Sequence, residues 1–335
     1  MAALVALATL LAVGAGMPVK GNYWETEGFR RKLALVEETN PGIPPRILPR
    51  ILIVAGSNAY FGVNARAFAE ATGRTAVNLA MQGALPFDFY AALLRDLLRP
   101  GDIVVLPLEY AYYGSVHPLI RDRVAFLEAS VALSMRPSYL LTRPVGDWLN
   151  FLRTLSLARL WEGARERLRP PAERQYRVGV IDAWGDNAAD YWTPESHLHL
   201  RGALREEALR GLTEFDPDSP SVRSIVRFVE WARRHDVTVV AALPNTFEQP
   251  PFAGPELAEL RRRIAGFWEQ LRVPLLTAAA TIGPEHVLDT PYHPTLEGAS
   301  VRTASLVAEF CRAVGGAMCR LKVQNATTVR GRGSR

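Results

Sequence analysis

Runs of consecutive apolar residues alternate with segments of helical periodicity on both sides of a long central stretch of this 335-residue chain. The first run, residues 51–55, reads Ile-Leu-Ile-Val-Ala. A strand without polar interruptions is typical of a parallel sheet that is covered on both faces. Alternation of such strands with helices predicts an α/β fold with right-handed crossovers. Strands are predicted at 51–55, 75–79, 102–108, 237–243 and 273–277, and helices at 63–71, 86–98, 222–234, 257–271 and 294–314.

Several polar or small residues follow the predicted strands or lie in the loops after them. In an open parallel sheet, ligands bind beyond the carboxyl ends of the strands, which meet at one edge. We therefore expect a functional site at that edge. Its candidate residues are Ser57, Gly83, Glu109, Asn245, Asp289 and His293.

Ser57, just past the first predicted strand, is the candidate nucleophile. A serine hydroxyl needs a base within hydrogen-bonding reach and a third group that orients the base. His293 can act as the base, and Asp289 can orient it. Structural roles stay open as well: Ser57 could cap the next helix, and His293 could be a helix cap or a core histidine.

Three short blocks resemble the SGNH (GDSL-like) hydrolase superfamily. Gly-Ser-Asn at 56–58 is similar to its serine block, Asn-Leu-Ala-Met-Gln-Gly at 78–83 to its glycine block, and residues 289–293 to its histidine block. The resemblance implies a flavodoxin-like fold, which is a three-layer parallel sheet with helices on both faces. It also implies that the backbone N–H groups of Ser57 and Gly83 bind the oxyanion.

The chain departs from the family pattern at two places. The family has an asparagine after the third strand, where this chain has Glu109 and Tyr110. Losing one oxyanion donor typically costs about 10²–10³ in rate, so Asn58 or Asn245 would have to substitute. Glu109 and Tyr110 are therefore candidates for substrate binding. The alternative role of Glu109 is an ion pair with an arginine of the central stretch. The second departure is one extra residue in the block 289–293.

The departures resemble a divergent, exported or membrane-anchored branch of the superfamily that modifies bacterial surface polysaccharides. That resemblance implies a serine-dependent acylhydrolase or O-acyltransferase. Its substrate would be an ester of a surface glycan or cell-envelope polymer, and membrane acyl-transfer machinery would be a possible partner. The alternative is a catalytically inactive glycan-binding or scaffold protein of a polysaccharide-modification complex. No cofactor is expected, because no strand leads into a Gly-rich nucleotide-binding loop.

The domain organisation follows from the break in the alternation. Residues 111–218 are rich in tryptophan and tyrosine and predict a helical insertion over the strand ends. Its aromatic residues either bind a sugar or acyl chain or form the insertion's own core. The full division is 1–19 signal or membrane anchor, 20–46 linker with a short helix, 47–110 and 219–319 α/β domain, 111–218 insertion, and 320–335 disordered tail.

Residues 2–16 form an uncharged apolar block, somewhat shorter than the roughly 20 residues that span a bilayer. The block favours export to the periplasm or cell surface, cleaved or anchored, over a buried N-terminal helix, because it has no polar face. Two cysteines, Cys311 and Cys319, fit a disulfide in an exported protein, and two free thiols remain the alternative.

The net charge is +5, but all except three of the 39 basic residues are arginine. This skew indicates a GC-rich coding genome, and the arginines are scattered, so no nucleic-acid partner is expected. His197 and His199 could be two metal ligands, although no third ligand is near them in the sequence, so no metal site is expected.

Overall fold

The structure is a computed structural model, and the described part of the chain consists of several ranges. It comprises residues 23–38, 49–114, 131–132, 135–154, 161, 165, 168, 178–189, 214–247, 254–278, 281–288, 290–315 and 319. Asp289, the histidines 197 and 199, the N-terminal block and the C-terminal tail lie outside these ranges. The predictions made for them therefore stay predictions.

A five-stranded parallel sheet in the order β2-β1-β3-β4-β6 forms the centre of the fold. Strands β1, β2 and β3 are buried at every residue, as expected for a sheet covered on both faces. A second, two-stranded parallel sheet pairs β5 with β7. The strands are β1 (Ile51–Ile53), β2 (Ala76–Asn78), β3 (Ile103–Leu106), β4 (Thr238–Ala242), β5 (Thr246–Phe247), β6 (Leu275–Leu276) and β7 (Thr281–Ile282).

The helices cover this sheet, with α4 packed against α7, and α9 packed against α2 and α3. The described helices are α1 (Tyr23–Glu38), α2 (Ser57–Gly62), α3 (Ala65–Thr72), α4 (Phe87–Leu97), α5 (Pro137–Leu140), α6 (Val145–Thr154), α7 (Pro220–Arg234), α8 (Pro255–Gln270) and α9 (Leu296–Ala313). The predicted fold class is confirmed: the chain is α/β with a flavodoxin-like strand order and helices on both faces of the sheet.

Two predicted helix boundaries differ from the structure in ways that affect the site. The helix expected at 63–71 is α3, which begins at Ala65 and ends at Thr72, and a short helix that was not predicted, α2, precedes it from Ser57 to Gly62. The closing helix begins at Leu296 rather than at residue 294, with Thr295 as its N-cap: the Thr295 hydroxyl accepts the Gly298 N–H. His293 is therefore not a helix cap.

Helix α1 lies within residues 20–46, where a linker with a short helix is predicted. Its 16 residues pack on the sheet, and Trp24, Phe29 and Val36 belong to the hydrophobic core. A lysine lies on the buried face of this helix. That residue, Lys32, is completely buried.

The Lys32 ammonium joins α1 to the core. It donates a 2.6 Å hydrogen bond to the Ala80 carbonyl and lies 4.7 Å from the centroid of the Tyr60 ring. Burial lowers the pKa of Lys32 to about 7, and the nearby carboxylate of Asp186 opposes this shift. Asp186 accepts the Ala65 and Arg66 N–H groups at the start of α3. Burial raises the pKa of Asp186 to about 7. A buried charge cluster thus links α1, α3 and the segment that contains Asp186.

We expect Asp186→Asn to change how stability depends on pH. A carboxyl group whose pKa is raised on folding contributes stability at low pH that is lost as the pH rises through its folded value, here about 7. The difference in free energy of unfolding between wild type and variant should therefore fall as the pH rises from about 4 to about 7. Urea denaturation at several pH values measures it. The control is Asp218→Asn, at an exposed aspartate, which should have the same free energy of unfolding as the wild type at every pH. A loss of stability in Asp186→Asn that does not change with pH would contradict the raised pKa.

A disulfide joins Cys311, near the end of α9, to Cys319, so these two cysteines are paired in the structure rather than free thiols.

In the insertion, the segment around Trp184 contacts the sheet: the Asn78 N–H at the end of β2 donates to the Trp184 carbonyl at 2.8 Å. None of the helices in the described ranges is both long enough and apolar enough to span a bilayer.

Candidate functional site

Ser57 is the first residue of α2, just past the carboxyl end of β1. The chain leaves β1 through the buried residues Val54 and Ala55, and Gly56 is the N-cap of the helix. Ser57 is half-buried, and no hydrogen bond joins its hydroxyl to another described residue. Ser57 therefore does not cap α2, and its hydroxyl is not committed to holding the fold together.

His293 lies against the face of α2 that carries Ser57. Its ring packs on Phe61 with 4.3 Å between the centroids. Phe61 is four residues beyond Ser57, which is about 6 Å along the helix, and residues at that spacing share one face. The residue after His293 also lies against α2, because a Cβ added to Gly62 would lie 3.0 Å from Pro294 Cγ. The structure thus brings Ser57 and His293 to one face of α2, although the two side chains are not hydrogen-bonded to each other.

The loop before α9 fixes the backbone of His293. Its N–H donates to the Thr290 carbonyl at 3.1 Å, and its carbonyl accepts the Leu288 N–H at 2.8 Å. The imidazole is buried, with only 6% of the residue exposed. A buried ring in a hydrogen-bonded loop has a defined orientation, which a general base requires. The predicted orienting residue, Asp289, belongs to this loop but lies outside the described residues.

Glu109 occupies the position where the SGNH pattern has an asparagine, and its carboxylate points at the start of α2. Glu109 Oε2 accepts the Gly56 N–H and Oε1 accepts the Asn58 N–H, each at 3.1 Å. Glu109 is only 5% exposed. The expected ion pair with an arginine of the insertion is not seen among the described residues, because the two backbone N–H groups take its place.

Gly83, in the loop after β2, lies next to the Glu109 side chain. A Cβ added at Gly83 would lie 3.0 Å from Glu109 Oε1, so Gly83 borders the carboxylate. No hydrogen bond from the Ser57 or Gly83 N–H to another described residue is present. Both N–H groups thus fit the predicted role of oxyanion donors, with the Glu109 carboxylate as their neighbour.

Gly56 is where the three loops of the site come closest together. A Cβ on Gly56 would lie 2.2 Å from Gly83 Cα and 2.3 Å from Glu109 Oε1. Because a backbone atom is among these neighbours, the clash cannot be relieved by a side-chain rotation. The loops after β1 and β2 can approach this closely only because both contribute a glycine.

We expect Gly56→Ala to lower the free energy of unfolding by about 1–3 kcal/mol, because the added methyl overpacks the junction of the loops. Chemical denaturation measures the change. Gly266→Ala in α8 is the matched control, since a Cβ there meets nothing within 4 Å. The control should be neutral or stabilising, because alanine is a better helix former than glycine. Equal losses for the two variants would contradict the close packing at Gly56.

Arg302, on α9, connects the loops of the site from behind. Its Nη1 donates to the Asn58 carbonyl at 3.0 Å and to Asn245 Oδ1 at 2.6 Å, and its Nη2 donates to Asn58 Oδ1 at 3.1 Å. Arg302 is 1% exposed. Burial lowers the pKa of its guanidinium, and the negative charge of Glu109 partly offsets the shift. Arg302 therefore supplies the buried positive charge that accompanies the Glu109 carboxylate.

The predicted substitute oxyanion donors, Asn58 and Asn245, are engaged elsewhere. The Asn58 amide donates to the Pro107 carbonyl at 2.8 Å, and the Asn245 amide donates to the Pro291 carbonyl at 3.2 Å. Both side chains are fully buried. Their contacts support a structural role, in which they hold the loops after β1 and β4 around Arg302.

Tyr110, predicted to bind substrate, is fully buried. Its hydroxyl accepts a 2.8 Å hydrogen bond from Arg261 Nε on α8. The structure therefore places Tyr110 in the core behind the strand ends rather than on a surface that a substrate can reach.

Two residues that organise the site were missed from the sequence. Arg302 was hidden among many helical arginines, and only its place between small and apolar residues of α9 distinguishes it. Asn78 was noted only as part of the glycine block, yet its amide donates to the carbonyls of Ala59 in α2 and of Val63, the C-cap of α2. A buried asparagine at the end of an apolar strand is the signal that could have found it.

No cluster of three or more His, Cys, Asp or Glu side chains suited to a metal is present in the described ranges. No protein-family model matches this chain, and no curated protein matches it significantly.

Proposed function

We propose that this protein is a serine-dependent acylhydrolase or O-acyltransferase. Its substrate in this proposal is an ester of a surface glycan or cell-envelope polymer, outside the cytoplasm. The observation that carries the proposal is the packing of the His293 ring on Phe61, one helical turn from Ser57. It puts a buried imidazole and an uncommitted serine on one helix face at the carboxyl edge of a parallel sheet, where such folds bind ligands.

The proposed reaction has two steps. Ser57 Oγ attacks the ester carbonyl while His293 takes the hydroxyl proton, and His293 then returns that proton to the leaving alkoxide. The backbone N–H groups of Ser57 and Gly83 donate to the oxyanion, and Asp289 orients His293. In the second step, water or a sugar hydroxyl attacks the acyl-serine, and His293 moves the proton from the acceptor to Ser57. The acceptor decides between hydrolase and transferase.

The test uses a chromogenic acetyl ester, such as p-nitrophenyl acetate, with and without an acetyl-free oligosaccharide acceptor. We expect release of nitrophenol and an acetyl adduct on the protein in the intact mass. An acceptor that shortens the life of the adduct and gains an acetyl group indicates a transferase, and one without effect indicates a hydrolase. His293→Ala should abolish the adduct. An unmodified wild-type protein and no release above background would refute the catalytic proposal.

A second candidate function is a catalytically inactive protein that binds a glycan or acts as a scaffold. The hydrogen bonds from Gly56 and Asn58 to Glu109 favour it. They hold a carboxylate next to Gly83, where a developing oxyanion would meet a like charge. Equilibrium binding of acetylated and deacetylated oligosaccharides, measured by calorimetry, separates this candidate: binding without turnover supports it.

A further inference from the structure

The buried side chain of Lys32 on α1 contacts both segments that carry the proposed oxyanion donors. Its ammonium donates a 2.6 Å hydrogen bond to the Ala80 carbonyl, three residues before Gly83 in the loop after β2. The same ammonium lies 4.7 Å from the centroid of the Tyr60 ring on α2, three residues beyond Ser57. One side chain from outside the site thus connects the loop of the first donor with the helix of the second.

The Tyr60 ring extends this contact toward the proposed base. Tyr60 packs edge-on against Phe61 with 4.9 Å between the ring centroids, and Phe61 packs on the His293 ring. Aromatic rings attract one another at these distances, and a cation over a desolvated ring adds to the attraction. The ammonium over Tyr60 therefore packs against the inner side of the helix that carries both Ser57 and the contact with His293.

The loop after β2 depends on Lys32 for one of its backbone hydrogen bonds. Ala80 is fully buried, so its carbonyl needs a donor inside the protein, and Lys32 supplies one. The next residue joins this loop to the end of β1, because the Met81 N–H donates to the Ala55 carbonyl at 3.3 Å. A Cβ added to Gly28 would clash with Met81 Cε, so α1 packs directly on the loop.

A lysine at this position costs free energy that an apolar residue would not. Burial of an ammonium is unfavourable unless charges and hydrogen bonds compensate for it. The charged side chains that act on Lys32 are Asp186 and Asp182 in the insertion, and the effect of burial on its pKa is larger than theirs. Filling the core therefore does not explain the lysine, whereas its contacts with the two segments of the site do.

We infer that Lys32 is a positioning residue of the serine site. It holds α2 against the loop after β2, at the separation that lets the Ser57 and Gly83 N–H groups bind one oxyanion. The inference rests on the proposed function, although the contact itself can be measured without a reaction. Because burial lowers the pKa of Lys32 to about 7, the ammonium over Tyr60 is lost as the pH rises through that value. The positioning should weaken with it.

Lys32→Met tests the inference, because it keeps an unbranched side chain of similar length and removes the charge and the donor. Two quantities are measured in the full-length protein at about pH 6, where Lys32 is charged. They are the rate at which a fluorophosphonate labels Ser57 and the hydrogen exchange of the amides at 57–62 and 79–83. We expect labelling at least about 10-fold slower and faster exchange in both segments. Lys32→Gln, which keeps a donor for Ala80, should recover part of the labelling rate.

The matched control is Val36→Ala, one turn further along α1. Val36 belongs to the core, and its carbonyl accepts Arg50 Nη1 at the edge of the sheet opposite the site. Val36→Ala should lower the stability of the fold and leave the labelling rate unchanged. A loss of stability in general is thereby separated from a loss of positioning.

The pH dependence gives a further separation. The ratio of the wild-type labelling rate to that of Lys32→Met should fall as the pH rises from about 6 to about 9, because the wild type also loses its ammonium. Taking the ratio cancels every effect of pH that the two proteins share. A role in filling space alone would give a ratio that does not change with pH.

Equal labelling of the wild type and Lys32→Met at about pH 6 would overturn the inference, and so would a ratio that stays constant with pH. A folded wild type that is never labelled would refute the proposed function instead. Hydrogen exchange then decides about Lys32 by itself: faster exchange in both segments supports the positioning role, and unchanged exchange overturns it.

Discussion

Replacing Ser57 by alanine is expected to lower the rate of ester cleavage by at least about 10³-fold, because no acyl intermediate can form without the nucleophile. The fold should not suffer. Ser57 is half-buried, its hydroxyl makes no hydrogen bond with a described residue, and Gly56 provides the N-cap. The rate is measured with p-nitrophenyl acetate at saturating and limiting concentrations, so that kcat and KM are separated.

The matched control is Ser300→Ala on α9. Ser300 is exposed, and its hydroxyl donates only to the Leu296 carbonyl one turn earlier. It should leave kcat and KM unchanged. Residual activity in Ser57→Ala equal to that of the wild type would mean that the ester is cleaved at another site, and Ser57 would then lose its role as nucleophile.

Replacing Asp102 by alanine is expected to lower the free energy of unfolding by about 3–5 kcal/mol, because it leaves the charge of Arg50 buried without its partner. Asp102 precedes β3 and Arg50 precedes β1, at the edge of the sheet opposite the site. Arg50 Nη2 lies 2.6 Å from Asp102 Oδ2, and the Asp102 carboxylate also accepts the backbone N–H groups of Arg50 and Arg99. Both side chains of the pair are less than a tenth exposed.

Urea denaturation followed by circular dichroism measures this loss. Glu70→Ala breaks the exposed Arg66–Glu70 pair on α3 and serves as the control, with no measurable change expected. At temperatures where the protein stays folded, Asp102→Ala should still cleave the ester at the wild-type rate, because Asp102 lies far from the site. A stability equal to that of the wild type would contradict the buried pair.

The strands and most helices could be predicted because their apolar patterns are simple. Continuous apolar runs located the five strands of the main sheet, and helical spacing located α3, α4, α7, α8 and α9 to within a few residues. The fold class followed from the alternation alone. The two-residue strands β5 and β7 were missed, because two residues carry no periodicity.

The site could be predicted only in part, because the missing parts are long-range polar contacts. The serine follows its strand and the histidine precedes the last helix, as expected. No local pattern indicates that Glu109 accepts two N–H groups 51 and 53 residues earlier in the chain. Arg302 contacts Asn58 across 244 residues for the same reason. Buried polar residues oppose the hydrophobic pattern, and their partners become known only once the fold brings them together.

The central claim is that Ser57 reacts as a nucleophile, and a covalent probe tests it most directly. The folded protein is incubated with a fluorophosphonate, digested and analysed by peptide mass spectrometry, with heat-unfolded protein as the control. The account predicts one adduct, on the peptide that contains Ser57, formed only in folded protein and lost in His293→Ala. Folded wild-type protein that remains unlabelled at Ser57, while a known serine hydrolase in the same tube is labelled, would contradict the account.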